Sequence, residues 1–202
     1  MDAQAVADAV GHIGSVASVG TALGRLCRWG GCSITFYPVL AHSLVVGEIL
    51  ERGTAANLAV YGYMHDCAEV ITGDITAIVK TSSMTDGLEE DAITRGIMKK
   101  LCIPLEGWTP ETRNLVHEVD LLVTNAEWET VAPDEPRRVV FEPCEPSPML
   151  SLAKDLTNFY ASLPSSCWTS GCGPNHNYTG PIALFAARVQ VGRRLLDALR
   201  QR

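Results

Sequence analysis

The chain has 202 residues with a formal net charge of -7, and it is 47% hydrophobic and 19% charged. This composition supplies enough apolar side chains for a buried core and excludes a disordered chain. No long run of Lys and Arg is present, so we expect no nucleic acid polymer as a partner. The N-terminus lacks a positively charged leader, and no apolar stretch reaches the length of a membrane span. We therefore expect one cytoplasmic domain over 1–202 that contacts no membrane.

The predicted elements are helices joined by loops, and the first of them covers 1–26 although glycines weaken it. Residues 27–39 break the helical pattern, because Gly30, Gly31 and Pro38 favour an irregular segment. The chain then predicts six further helices, over 40–51, 55–71, 87–101, 110–130, 151–163 and 182–202. The expected fold class is all-α, with about seven helices in one bundle.

The segments between these helices carry signals of their own. Thr54 can cap the helix that follows it, and Pro110 suits the first position of a helix. The segment 75–86 is predicted to be a loop, and 137–143 could form one short strand. A second loop, 164–181, is rich in Cys, Gly, Pro and Asn and lies within the C-terminal region 147–202.

Seven cysteines are scattered along the chain, an odd number that does not suggest a disulfide framework. In a reducing compartment most of them would behave as small buried hydrophobic residues. Cys167, Cys172 and His176 have spacing compatible with half a zinc site, yet no fourth ligand is evident. A structural metal in this loop remains an alternative that the loop composition does not favour.

A group of ionisable residues follows an apolar run at His65 and Asp66, with Glu69 a few positions further on. Residues three and four apart share one face of a helix, so Glu69 would be a neighbour of both. An isolated His-Asp pair is more often a polar surface patch, or a buried His satisfied by a carboxylate, than a functional site. A functional metal site here would therefore need further ligands from other helices.

Two more helices carry side chains that complete a metal-binding set. His42 lies near the start of one predicted helix, and Asp120 interrupts a stripe of Leu and Val on another. A carboxylate on an apolar stripe is costly to bury unless it is paired or bound to a metal. Two His and two Asp from three helices suit a divalent ion that keeps positions open for water and a phosphate oxygen.

The order of these groups resembles the HD-domain metal-dependent phosphohydrolases, in which a His precedes a His-Asp pair and a distal Asp follows. A more specific likeness, to the 5′-deoxynucleotidases and the phage dATP triphosphohydrolases of that family, covers roughly residues 20–130. It rests on Arg28-Trp29, His42-Ser43-Leu44, the stretch from His65 to Asp74 that includes Glu69, Val79-Lys80 and Asp120. The resemblance implies an HD-domain helical bundle with a metal site in its core.

The resemblance also implies which residues hold the metal and perform the chemistry. His42, His65, Asp66 and Asp120 would bind one divalent ion, for which Co²⁺, Mn²⁺, Zn²⁺ and Mg²⁺ all remain candidates. We call these four residues the ligand set. Glu69 would orient or deprotonate the attacking water, and Asp74 would transfer a proton to the leaving oxygen.

Three further residues would bind the substrate. Arg28 and Lys80 are the expected phosphate clamps, since Arg presents a fork of donors and Lys a point charge. Trp29 would pack on the sugar or base, and an aromatic wall near the 2′ carbon would favour deoxyribose over ribose. The intervening residues 30–41 match no pattern that would indicate a base preference.

The expected function is hydrolysis of deoxynucleoside phosphates at the 5′ phosphate in a bacterial or infected host cell. Two modes stay open: a monophosphate releasing phosphate, or a triphosphate such as dATP releasing triphosphate. The second needs more basic groups, which Lys99-Lys100 or a neighbouring subunit of an expected homo-oligomer could supply. The alternative is a non-catalytic nucleotide-binding protein that acts as a sensor or interaction module.

Overall fold

The computed structural model describes residues 3–53, 55–74, 86–132, 145–169 and 180–201. Its helices are α1 (Ala3–Ala9), α2 (Val16–Leu23), α3 (Val39–Arg52), α4 (Ala59–Met64), α5 (Glu69–Thr72), α6 (Asp86–Lys100), α7 (Pro110–Val131), α8 (Pro148–Ala161), α9 (Ser166–Thr169) and α10 (Pro181–Arg200). Short 3₁₀ helices cover Arg28–Gly31 and Ala56–Leu58. Within these ranges no strand forms, apart from one isolated bridge between Cys27 and Pro38. The predicted all-α class is confirmed.

Helix α3 is the central element of the core. Every residue from Val39 to Leu50 is buried, including the polar side chains of His42, Ser43 and Glu48. A helix that is apolar on nearly all sides must be covered on all sides. Here α4, α7, α8 and α10 all pack against it. Polar groups on α3 therefore lie inside the protein, where they need partners from the surrounding helices.

The single helix predicted over 1–26 is wrong, because the chain forms two helices there. Between α1 and α2, Ser15 accepts a hydrogen bond from the Ser18 amide, and Ser18 Oγ accepts one from the Ser15 amide. This reciprocal cap begins a new helix and competes with continuation of the first. Gly11 and Gly14, which lower helix propensity, lie in the break.

The helix predicted over 55–71 is also divided. After α4 the backbone continues in a tight turn in which the Cys67 amide donates to the Met64 carbonyl and the Glu69 amide to the Asp66 carbonyl, both at 3.0 Å. These are bonds between residues three apart, which wind the chain more tightly than an α-helix. Residues three apart then lie nearly above one another, so Glu69 follows Asp66 along one side of the turn.

Other predicted boundaries are confirmed. Gly53 ends α3, and its amide donates to the Ile49 carbonyl at 3.0 Å. Thr109 caps α7 by accepting a hydrogen bond from the Thr112 amide at 3.2 Å, with Pro110 in the first turn. The predicted Thr54 cap, the strand at 137–143, residues 75–85 of one loop and 170–179 of the other lie outside the described residues. Among the helices of the described ranges, none has the length and apolar character that crossing a membrane requires.

Glycines bring α3 and α4 unusually close together. A Cβ atom at Gly47 would lie 2.1 Å from Tyr63 Cδ1, and one at Gly62 would lie 3.2 Å from the Gly47 Cα. The Tyr63 ring is buried, and its hydroxyl donates to Glu51 Oε2 at 2.8 Å. The two helix backbones therefore approach at these positions, just before the chain reaches His65.

Replacing Gly47 with Ala should destabilise the protein. Overpacking costs about 1–3 kcal/mol. We expect a cost at the upper end of this range, because the Tyr63 ring is rigid and cannot bend away from the added methyl group. That cost exceeds the roughly 1 kcal/mol by which Ala is the better helix former. The melting temperature, followed by circular dichroism, should fall by about 2–4 °C for each kcal/mol lost. Gly14→Ala is the matched control, because a Cβ there meets nothing within 4 Å. Equal melting temperatures for the two variants would contradict the close approach.

Candidate metal centre

The four residues of the ligand set meet where α3, the end of α4 and α7 come together. His42 Nε2 lies 3.2 Å from His65 Nε2 and 3.0 Å from Asp120 Oδ1. Asp66 Oδ1 lies 3.2 Å from His65 Nε2, and Asp66 Oδ2 lies 3.6 Å from His42 Nε2. Adjacent ligand atoms about 2.0–2.2 Å from one ion are about 2.8–3.6 Å apart in octahedral or tetrahedral arrangement. His65 Nε2 lies 3.9 Å from Asp120 Oδ1, and His42, His65 and Asp120 each place one ligand atom within 4.8 Å of the others, whereas Asp66 falls in a separate acidic group. The spacing is therefore compatible with a divalent ion among His42, His65 and Asp120, with Asp66 beside it.

The remaining ring nitrogens fix the orientation of both histidines. His42 Nδ1–H donates to Glu127 Oε1 at 2.7 Å, and His65 Nδ1–H donates to the Gly62 carbonyl at 2.7 Å. Because both partners are acceptors, each ring keeps its proton on Nδ1 and directs Nε2 at the centre. Two bare Nε2 lone pairs at 3.2 Å would repel each other, so a proton or a metal ion is needed between them.

The charges around the two rings favour a cation there. Burial and the Arg28 charge lower the pKa of His42, but the Glu127 charge and the hydrogen bonds to Asp120 and Glu127 outweigh them and raise it to about 10. Burial raises the pKa of Asp120, but His42, His65 and Arg28 together hold it well below its usual range. His42 is therefore protonated and Asp120 ionised at neutral pH. A divalent ion would take the place of that proton.

Arg28, which the family resemblance assigns as a phosphate clamp, lies beside the ligand set. Its Nη1 is 3.8 Å from Asp66 Oδ2, and its Nη2 donates to Thr124 Oγ1 at 3.4 Å. Burial lowers the pKa of Arg28, but nearby carboxylates, Glu127 foremost, raise it above its usual value. The guanidinium therefore stays charged in a buried position next to the ligand set, where it could bind an anion.

Glu127 belongs to this centre, although sequence analysis did not identify it. Its side chain is completely buried, and its Oε1 accepts hydrogen bonds from His42 Nδ1 and from the Tyr37 hydroxyl, the latter at 3.0 Å. Its Oε2 lies 3.0 Å from Arg28 Nε in an ion pair. One signal could have revealed it: Glu127 follows Asp120 by seven residues, which places both on the same face of one helix.

Trp29 adjoins Arg28 but is largely covered. Its backbone has φ 60°, a left-handed conformation that a bulky residue adopts only under strain. The ring packs edge-on against Trp128, with centroids 5.5 Å apart, and the Arg28 guanidinium lies 5.7 Å from its centre. Only 8% of Trp29 is exposed, so little of the ring is open to solvent.

The two predicted acid–base residues lie on the α5 side of the centre. Glu69 is buried, and its carboxylate groups with those of Asp66 and Glu90, with one oxygen from each within 4.8 Å of the others. Asp74 follows the left-handed Gly73 at the end of α5 and is close enough to Arg28 to raise the pKa of that side chain. Both acids therefore adjoin members of the centre.

The remaining predicted site residues lie largely outside the described ranges. Lys80, Cys172 and His176 are among the residues that the structure does not describe, whereas Cys167 is described, partly buried and unbridged. No model of a known protein family matches the chain, and no curated protein matches it. The function is therefore inferred from the chain's own residues.

Proposed function

We propose that this protein is a divalent-metal-dependent phosphohydrolase of the HD-domain kind that acts on deoxynucleoside phosphates. The observation that carries the proposal is the pair of imidazoles with Nε2 atoms 3.2 Å apart, flanked by Asp66 and Asp120. A charged Arg28 stands 3.8 Å from Asp66. A mixed nitrogen and oxygen site for a cation, with an anion-binding guanidinium beside it, suits the cleavage of a phosphate ester.

The four residues of the ligand set would hold the ion. When bound, the ion would supply polarisation of a phosphoryl oxygen and a lower pKa for a coordinated water. Arg28 would bind a second phosphoryl oxygen through the N–H groups that its contact with Glu127 leaves available. His42 and Glu127 are fully buried and Asp120 is partly exposed, so the site has a largely buried side that strengthens charge interactions and an open side.

Glu69 and Asp74 would handle the protons of the reaction. Glu69 lies one tight turn after Asp66, with its amide bonded to the Asp66 carbonyl, and would accept a proton from a water beside that residue. Asp74 lies on the Arg28 side, where the phosphate would be held, and would donate a proton to the 5′ oxygen as it leaves.

The basic groups around the centre favour a monophosphate over a triphosphate. Arg28 would contact one phosphate, and Lys80 is the second expected clamp. Lys100, a candidate for extending the site, instead donates to the Val10 and Gly11 carbonyls at 2.9 and 2.6 Å and so ties α6 to the end of α1. Cleavage of a triphosphate at the same oxygen remains the second mode, with a neighbouring subunit of a homo-oligomer supplying further basic groups.

A deoxynucleotide panel tests the proposal directly. Phosphate and triphosphate release should be measured with Co²⁺, Mn²⁺, Zn²⁺ or Mg²⁺, before and after chelator treatment. We expect turnover that chelator abolishes and added metal restores. Asp66→Asn should lose turnover and bind the metal more weakly, while its circular dichroism stays unchanged. Full activity in chelator-treated enzyme would refute the metal requirement. Nucleotide binding without any cleavage would favour the non-catalytic alternative.

Removing the Glu69 carboxylate should separate proton transfer from metal binding. We expect Glu69→Gln to bind metal and nucleotide normally while its turnover falls by about 10²–10⁴-fold, the usual contribution of a general acid or base. Glu90→Gln is the matched control, because Glu90 contributes a carboxylate to the same group and has no proposed proton transfer. Metal loss in Glu69→Gln, or an equal fall in both variants, would argue against a proton-transfer role for Glu69.

Discrimination against ribose tests the position of Trp29. A 2′-hydroxyl buried against the indole without a partner would cost about 1–3 kcal/mol, roughly a tenfold to hundredfold preference for the deoxynucleotide. Trp29→Ala should reduce this ratio of kcat/KM values, whereas Arg28→Ala should lower both values together. An unchanged ratio in Trp29→Ala would show that Trp29 supports Arg28 and Trp128 without contacting the sugar.

A further inference from the structure

The Glu127 carboxylate joins two parts of the centre that perform different tasks. Through Oε1 it accepts a hydrogen bond at 2.7 Å from Nδ1 of His42, the ring whose Nε2 points at the cation position. Through Oε2 it pairs at 3.0 Å with Arg28, the side chain placed to bind an anion. Each oxygen thus contacts a different cationic side chain.

Burial makes this arrangement rigid. The Glu127 and His42 side chains are 0% exposed and that of Arg28 is 12% exposed, so water cannot replace a lost partner at Glu127. A buried carboxylate is costly unless nearby donors and charges compensate it. The Tyr37 hydroxyl supplies a third contact, at 3.0 Å. Any displacement of Arg28 or His42 therefore leaves part of a buried charge uncompensated.

We infer that Glu127 is a positioning residue that couples the metal site to the anion site. The same carboxylate holds Nε2 of His42 toward the cation and holds the Arg28 guanidinium beside Asp66. The inference rests on the proposed function only in taking the anion to be the substrate's phosphate. The cation and anion positions would then be set together, so that a substrate phosphate meets the metal and the guanidinium in one fixed geometry.

Glu127→Gln keeps the shape of the side chain and tests the charge. A neutral amide cannot form the ion pair with Arg28, and it has one acceptor oxygen where the carboxylate has two. If its NH₂ group faces His42, Nδ1 must accept a hydrogen bond and the ring proton moves to Nε2, which then cannot bind a metal. If its oxygen faces His42, its NH₂ group faces the Arg28 donor. Either orientation damages one of the two sites.

The measurements are Co²⁺ binding to the metal-free protein by calorimetry, the visible absorption of bound Co²⁺, and the binding of inorganic phosphate to the Co²⁺-loaded protein. Glu127→Gln should bind Co²⁺ about 10–100-fold more weakly, the usual effect of losing the partner of a metal-bound histidine. Its Co²⁺ spectrum should change, and phosphate should bind more weakly. Arg28→Ala removes the guanidinium itself and should weaken phosphate binding more than it weakens Co²⁺ binding. Tyr37→Phe, which removes a contact without touching either charge, should keep both.

Several outcomes would overturn the inference. Wild-type Co²⁺ affinity and spectrum in Glu127→Gln would do so, and so would a loss confined to phosphate, since Glu127 would then support Arg28 alone. If Glu127→Gln fails to fold, Glu127→Asp replaces it: this variant keeps the charge but is too short to reach both partners, so weaker Co²⁺ binding is again expected. No readout involves hydrolysis. A wild type that binds Co²⁺ but cleaves no nucleotide would therefore refute the proposed function without deciding this inference.

Discussion

Two imidazole nitrogens that face each other at 3.2 Å are the constraint on which the centre depends. Each ring directs Nε2 inward because its Nδ1 proton is taken by an acceptor on the outer side. Such a pair is stable only with a positive charge between the nitrogens, and the surrounding carboxylates supply the opposite charge. The close approach of α3 and α4 at Gly47 and Gly62 brings His65, just after α4, near His42 on α3. A side chain at either glycine would force the two helices apart.

The balance of charge explains why a cluster of carboxylates, one of them fully buried, is tolerated here. Asp66, Asp120 and Glu127 lie around the rings, and isolated charges in such a place would be prohibitively costly. Arg28 contacts two of them, at 3.8 Å from Asp66 and 3.0 Å from Glu127. A proton on His42 compensates the remainder in part. A divalent ion in place of that proton would compensate the negative charge more fully, so the carboxylates favour binding of a divalent ion.

Sequence pattern predicted much of this, and its failures have identifiable causes. The candidate ligands were recognisable because their types and order are unusual for a helix core, and the structure places His42, His65 and Asp120 in one group with Asp66 in a neighbouring acidic group. Glu127 was missed because an acidic residue near the end of a helix is ordinary unless its burial is known. The split of the 1–26 helix depended on side-chain hydrogen bonds of Ser15 and Ser18, which helical periodicity does not report. Sequence spacing likewise could not reveal that Trp29 is covered by Trp128.

One face of helix α7 contributes three polar side chains to the centre. Asp120, Thr124 and Glu127 lie on one face, at intervals of four and three residues. Thr124 Oγ1 donates to Asp120 Oδ1 at 3.3 Å and accepts from Arg28 Nη2 at 3.4 Å. Arg28 pairs with Glu127, Glu127 accepts from His42, and His42 contacts Asp120, so the contacts close into a ring. In a closed ring of contacts, displacing one member affects both of its neighbours, and the ring passes through His42, one of the two paired imidazoles.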